Sequence, residues 1–157
     1  MSEKTDLAIT HGTFNVERVY PVPVARVFAA FADAKIKRRW FVEGEGWEVE
    51  SYESDFRVDG RETSRFRYQG GPEISNHTIY QDIVPERRIV FTYRMAVAGK
   101  PISVSLTTIE LEPTKGGTRL RYTEQGAYFD DPKALEMREE GCRGLLEALA
   151  KELARAA

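Results

Sequence analysis

The C-terminal part of the chain, from Pro132 onward, has a different hydrophobic period from everything before it. Upstream, apolar residues alternate with a period of two between short turns, which predicts β-strands. Downstream, five residues recur at the spacing i, i+3, i+4, i+7 and i+11, and these are Cys142, Leu145, Leu146, Leu149 and Leu153. This spacing predicts an amphipathic helix of about 23 residues and about 35 Å. Its apolar stripe needs a surface to pack against, and a sheet is the only large one available.

The rest of the chain predicts one strand, two short helices and then six further strands. The strongest hairpin signal is Asp59–Gly60. Short turns between consecutive strands predict an antiparallel meander. Asp33 is expected to cap the second short helix, and Asp131 the long one. The predicted strands are Phe14–Tyr20, Trp47–Ser54, Arg61–Gln69, Ile74–Val84, Arg87–Val97, Ile102–Glu112 and Thr118–Gly126, and the short helices are Val24–Ala32 and Ala34–Trp40.

The length and composition exclude several classes of protein. The 157 residues predict a single domain over residues 13–157, preceded by a polar, flexible leader over residues 1–12. With 23 basic and 25 acidic residues, the net charge of −2 favours neither nucleic acid nor a membrane as a partner. There is one cysteine and no apolar run of about 20 residues, so we expect a reducing, cytoplasmic location. Two histidines are too few for a histidine-rich metal site, and we expect no metal or other cofactor.

Five segments of the chain together resemble the START-like, or SRPBCC, superfamily, to which the birch-pollen-allergen-like proteins belong. The resemblance is greatest to the group related to the C-terminal domain of heat-shock chaperone ATPase activators (AHSA-like proteins). It covers nearly the whole chain after the leader. The segments are VERVYPVPVARVFAAFADAKIKRRWF (residues 16–41), DFRVDGRE (55–62), DIVPERRIVFTY (82–93), GGTRLRYTEQG (116–126) and REEGCRGLLEALAKEL (138–153).

This resemblance implies an α+β helix-grip fold. In that fold, a curved seven-stranded antiparallel sheet wraps around the long C-terminal helix and encloses a cavity. The element order predicted from periodicity agrees with it independently. The superfamily has no shared catalytic motif, and its members range from ligand carriers and aromatic cyclases to chaperone cofactors. The fold therefore does not decide the function.

A cavity between the sheet and the helix is the natural place for a site, because small molecules bind in concave and mainly apolar pockets. Period two places Glu124 on the same face as Leu120 and Tyr122. In the alternative, Glu124 lies at the rim of the sheet and pairs with an arginine. The candidate cavity residues are Trp40, Phe41, Phe91, Tyr93, Met95, Tyr122, Glu124, Tyr128, Arg138 and Cys142.

Several of these residues are also compatible with a purely structural role. Trp40 and Tyr93 are equally compatible with plain core packing, and Arg138 with a solvated helix end. Cys142 is expected to be a small, inert, buried residue. For the strand that contains His77, the sequence does not decide which face is buried. The arginines at positions 57, 61, 65 and 67 form a basic strip that Glu48, Glu50 and Glu53 can neutralise across the hairpin.

Three functions follow as hypotheses. The first is a binding protein for a small hydrophobic or aromatic ligand. The second is a cyclase- or hydrolase-type enzyme that uses Glu124 with Tyr93 or His77 as acid–base groups. The third is an interaction module like the chaperone ATPase activators, although a leader of about a dozen residues is too short to be their separate N-terminal domain. A homodimer is possible.

Overall fold

A computed structural model describes residues 8–155 of the chain. It contains seven strands and three helices. The strands are β1 (Ile9–Tyr20), β2 (Trp47–Ser54), β3 (Arg61–Tyr68), β4 (Ile74–Val84), β5 (Arg88–Val97), β6 (Lys100–Thr114) and β7 (Gly117–Phe129). The helices are α1 (Val24–Ala32), α2 (Ala34–Phe41) and α3 (Ala134–Arg155).

The strands form one antiparallel, curved sheet in the order β1-β7-β6-β5-β4-β3-β2. From β2 to β7 each strand pairs with the next, as expected of a meander with short turns. Because β1 pairs with β7, the chain must travel from one edge of the sheet to the other before β2, and α1 and α2 make that crossing. The predicted helix-grip arrangement of a seven-stranded sheet and a long C-terminal helix is therefore confirmed.

The first strand begins earlier than the sequence predicts. Ile9 pairs with Phe129 and His11 with Ala127, so residues 9–12 belong to β1 and not to a flexible leader. The reason is the partner strand: β7 runs on past Gly126 to Phe129, and its backbone groups hydrogen-bond with these residues. Exposed residues alternate with half-buried ones here, which weakens the sequence signal. Residues 1–7 of the predicted leader lie outside the described part of the chain.

Of the two predicted aspartate caps, Asp33 caps its helix, whereas Asp131 caps a turn that precedes the long helix. The carboxylate of Asp33 accepts hydrogen bonds from the backbone N–H groups of Lys35 (2.9 Å) and Ile36 (3.3 Å) at the start of α2. Asp131 accepts from the N–H of Lys133 at 2.8 Å. The helix begins at Ala134 and not at Pro132, because Pro132 and Lys133 form a turn.

The core lies where α3 packs on the β1–β7 edge of the sheet. Four of the five predicted stripe residues are buried, namely Cys142, Leu146, Leu149 and Leu153. They meet inward-facing side chains such as Val16, Ile89, Ile109 and Leu120. Each fully buried aliphatic side chain contributes about 1.5–3 kcal/mol to the stability. The predicted packing of the helical stripe on the sheet is thus confirmed.

The other half of the inner face is polar. One row of cross-strand neighbours contains Tyr52, Ser64, Asn76, Met95, Ser103 and Tyr128. The adjacent row contains Glu62, Thr78, Tyr93 and Ser105. The inner face is therefore divided into an apolar half under α3 and a polar half, formed by these rows, that crosses the sheet from β2 to β7. Within residues 8–155, none of the helices combines the length and apolar character needed to cross a membrane.

Candidate functional site

Glu124 lies at the centre of a hydrogen-bond network on the inner face of β7. Glu124 is fully buried and lies on the same face of the strand as Leu120 and Tyr122. Oε1 accepts hydrogen bonds from Tyr93 Oη (2.8 Å), Tyr122 Oη (3.2 Å) and Thr107 Oγ1 (3.3 Å). Oε2 accepts from Tyr128 Oη (2.8 Å), Ser105 Oγ (3.1 Å) and Arg138 Nη1 (3.4 Å). Both oxygens are thus fully occupied by protein donors, and we call this set the Glu124 network.

Tyr128 reaches Glu124 from four residues further along the same strand. Both side chains point inward, and the residue between them on this face is Gly126. A Cβ atom at Gly126 would stand 2.8 Å from the Tyr128 hydroxyl oxygen. Tyr128 can fold back over the strand only because glycine leaves that space.

Arg138 provides the counter-charge for Glu124. Its side chain is only 11% exposed. Arg138 therefore faces the inside of the protein, as a candidate cavity residue should, and is not a solvated helix end. Nη1 also donates to the Tyr93 hydroxyl at 2.9 Å, and Nη2 donates to Ser103 Oγ at 2.7 Å and contacts Met95 Sδ at 3.1 Å. Burial alone would lower the pKa of Arg138, but Tyr93 and Glu124 outweigh it and the pKa rises. The guanidinium stays charged.

The tyrosines of the network are held in their protonated form. Burial, followed by the charge of Glu124, raises the pKa of Tyr93 well above its ordinary value and also raises that of Tyr128. Burial and the neighbouring Cys142 raise the pKa of Tyr122 in the same way. Each hydroxyl therefore keeps the proton that it donates towards the carboxylate.

Cys142 is one turn along α3 from Arg138 and faces the same network. Its Sγ donates to the Tyr122 hydroxyl at 3.4 Å and lies 3.8 Å from Glu124 Oε1. Burial and, secondly, the charge of Glu124 raise the pKa of this thiol to about 12. The thiolate is the reactive species, so this environment suppresses nucleophilic chemistry.

We expect native protein at neutral pH to react with iodoacetamide at least about 100-fold more slowly than unfolded protein, because the Cys142 thiol is buried and protonated. Mass spectrometry of timed samples, with and without urea, measures the two rates. Free cysteine added to the same reaction is the control for reagent activity. Comparable rates in the two states would contradict the assigned environment.

A second buried polar cluster lies between α2 and strands β2, β3 and β4. Lys37 Nζ donates to both carboxylate oxygens of Glu62, at 2.8 and 3.0 Å. The hydroxyls of Tyr52 and Tyr80 donate to Glu62 Oε1 at 3.0 and 2.7 Å. Lys37 Nζ also lies 4.6 Å from the ring centroid of Phe41. The side chains of Lys37 and Glu62 are 5% and 3% exposed, so this is a fully interior ion pair.

The remaining predicted site residues lie away from the Glu124 network. Trp40 is buried, its Nε1 donates to the carbonyl oxygen of Ala30 at 2.9 Å, and its ring packs edge-on against Phe31. Phe41 covers Lys37 instead. His77 is exposed on the outer face of β4, because Asn76 and Thr78 are the buried neighbours. The hypothesis that His77 acts with Glu124 is therefore wrong, since the sheet separates them.

The arginines of β3 lie on the outer face of the sheet, where they alternate with the buried residues of that strand. Arg67 Nε donates to Glu50 Oε1 at 2.6 Å, and this hydrogen bond lowers the pKa of Glu50. An open groove of about 240 Å³ runs along this face between Arg61 and Val104, with His77 and Arg94 in its wall. A second open groove, of about 210 Å³, is lined by both arginines and glutamates.

Sequence reasoning missed the small polar members of the inner face. In β6, Ser103, Ser105 and Thr107 alternate with exposed residues, and all three are buried. The pattern S-x-S-x-T next to a strand with an inward glutamate could have predicted them as its partners. No comparable signal exists for Lys37, which is a polar residue on a short helix like its neighbours Lys35 and Arg38.

The comparisons with known proteins identify a family. The family described as "Activator of Hsp90 ATPase homolog 1-like protein" matches residues 21–154. No curated protein matches the chain. A solved structure of the Mll3558 protein from Rhizobium loti is 56% identical, with a TM-score of 0.85, and the match covers 92% of this chain and 99% of that one.

Two further solved structures show the same fold. An uncharacterised protein from Rhizobium leguminosarum is 34% identical with a TM-score of 0.90, covering 94% of this chain and 97% of that one. The CV1439 protein from Chromobacterium violaceum is 30% identical with a TM-score of 0.73, covering 92% and 95%. Because the family match spans most of the sequence, the chain belongs to the family of Hsp90 ATPase activator homolog 1-like proteins, the group that its motifs resemble.

Proposed function

We propose that this protein binds a small hydrophobic or aromatic molecule on the inner face of the sheet, beside β5 and the N-terminal half of α3. The observation that carries the proposal is the incomplete burial of Phe91, Tyr93 and Met95. All three face inward on the fourth of the seven strands. Inward-facing residues at the centre of a closed two-layer fold would be fully covered.

The position of α3 accounts for this exposure. The helix packs on β1 and β7, so its apolar stripe covers one side of the inner face. An aromatic pair, Phe91 and Tyr93, with ring centroids 6.0 Å apart, and the adaptable side chain of Met95 lie beyond that cover. These side chains offer an apolar surface to a ligand, and Arg138 lies at its margin, 5.5 Å from the Tyr93 ring.

The Glu124 network favours binding over acid–base catalysis. A catalytic carboxylate needs an oxygen that is free to exchange a proton with the substrate. Glu124 accepts from three hydroxyls on Oε1, and from two hydroxyls and Arg138 on Oε2. A carboxylate offers about four acceptor positions, so none is left for a substrate. The network fixes Tyr93 and Arg138 in place instead, which supports a preorganised binding surface.

The proposal is tested with N-phenyl-1-naphthylamine, an uncharged aromatic probe whose fluorescence increases in an apolar environment. We expect a saturable increase with the wild-type protein. The variant Met95→Trp should weaken the affinity by about tenfold or more, because the larger side chain fills the surface. Fluorescence titration gives both dissociation constants.

The matched control is Val104→Trp, which adds the same side chain on the neighbouring strand. Val104 is 47% exposed and faces outward, so its replacement should leave probe affinity unchanged. No saturable increase with the wild-type protein, or equal losses in the two variants, would refute binding at this surface.

A further inference from the structure

Two polar atoms on the inner face have no hydrogen-bond partner among the described residues. These are Ser64 Oγ on β3 and Asn76 Oδ1 on β4. Their residues are only 1% and 9% exposed, and they are direct cross-strand partners in the sheet. Buried polar groups in native proteins are almost always hydrogen-bonded, so an unpaired pair at one position needs an explanation.

The two atoms occupy the middle of a row whose other polar members are paired. On one side, the Tyr52 hydroxyl donates to Glu62 at 3.0 Å. On the other, Ser103 Oγ accepts from Arg138 at 2.7 Å. Only Met95 stands between Asn76 and Ser103 in the row. The unpaired position is therefore next to the half-buried side chains of β5 to which the proposed ligand binds.

The charges around this row are already balanced. Arg138 pairs with Glu124 on one side, and Lys37 pairs with Glu62 on the other. An added anion would meet two buried carboxylates, and an added cation would meet two buried basic groups. Desolvating an unpaired charge in such a place is strongly unfavourable. A neutral ligand can bind beside these two ion pairs without adding an unpaired charge.

We propose that Ser64 and Asn76 recognise an uncharged group of the ligand that can donate a hydrogen bond, either a hydroxyl or an amide N–H. A serine hydroxyl donates and accepts, and an asparagine carboxamide offers an oxygen and an NH₂ group. A hydroxyl or amide complements both, whereas a hydrocarbon leaves them unpaired. This inference rests on the proposed function, and it assigns the ligand class as a neutral aromatic or aliphatic alcohol, phenol or amide.

The test compares three compounds with one ring system as competitors of N-phenyl-1-naphthylamine. They are 2-naphthol, which has a neutral hydroxyl, naphthalene, which has no polar group, and 2-naphthoate, which is an anion. We expect 2-naphthol to bind on the order of tenfold more tightly than either of the others, because it alone pairs the two atoms without adding charge.

The preference should disappear in Ser64→Ala and Asn76→Ala while naphthalene binding persists. The matched controls are Thr63→Ala and His77→Ala, which change the adjacent residues on the outer face of the same strands. These two variants should retain the wild-type ratio. As a second measurement in the wild-type protein, the side-chain NH₂ resonances of Asn76 should shift with 2-naphthol and not with naphthalene.

The outcomes separate this inference from the proposed function. Equal displacement by 2-naphthol and naphthalene, tightest binding of 2-naphthoate, or an unchanged ratio in both inner-face variants would overturn the inference alone. An unaltered Asn76 resonance on addition of 2-naphthol would do the same if the variants did not fold. Failure of the probe itself to bind would refute the proposed function.

Discussion

Replacing Glu124 with alanine is expected to lower the free energy of unfolding by about 3–5 kcal/mol. The substitution leaves the Arg138 guanidinium buried without a counter-charge, and it removes the acceptor of five hydroxyl groups. Urea denaturation followed by circular dichroism measures the loss.

Two variants control for this effect. Glu124→Gln keeps the shape and one carbonyl acceptor, so its loss should be smaller than that of alanine. Glu140→Ala removes an exposed glutamate from α3 and should change stability by less than about 0.5 kcal/mol. A Glu124→Ala protein as stable as the Glu140→Ala protein would show that the Glu124 network does not stabilise the fold.

The second large effect concerns the buried pair formed by Lys37 and Glu62. We expect Lys37→Met and Glu62→Gln each to lower the free energy of unfolding by about 3–5 kcal/mol, since each leaves one buried charge without its partner. The double variant removes both charges, and the glutamine oxygen can still accept from Tyr52 and Tyr80. It should therefore regain most of the lost stability.

A double-mutant cycle in urea measures this coupling directly. Lys35→Met is the matched control, because Lys35 lies on the same helix with an exposed side chain. It should be close to neutral. Additive losses in the double variant would mean that the two residues stabilise the protein independently, contrary to the 2.8 Å contact between them.

The Glu124 network shows which features of the site can be predicted from the sequence. The two-residue period of the strand ending in Gly126 places Glu124 on the inner face, and the helical spacing of α3 places Arg138 and Cys142 towards it. Neither period states that the three side chains meet. Their meeting depends on the register of β7 against β6 and on where α3 crosses the sheet, which are long-range properties of the fold.

The prediction of the site was least accurate for residues that could reasonably lie on either face of the sheet. His77 and Asn76 are adjacent polar residues of β4, and only pairing with β3 and β5 decides that Asn76 is buried and His77 exposed. Trp40 is a large aromatic residue of the kind that lines pockets. Its ring contact with Phe31 and its hydrogen bond to the carbonyl oxygen of Ala30 instead make it part of the core. A one-residue change of strand register exchanges the two faces, so such positions cannot be assigned locally.

The sequence by itself determined the order of the elements, the antiparallel meander and the burial of the α3 stripe, because hydrophobic periodicity and turn chemistry act over a few residues. Only the tertiary structure decided the pairing of Lys37 with Glu62 and the two unpaired atoms of Ser64 and Asn76. Both depend on which strands and helices become neighbours across the inner face. The polar half of that face, and with it the proposed binding surface, is therefore a property of the assembled fold.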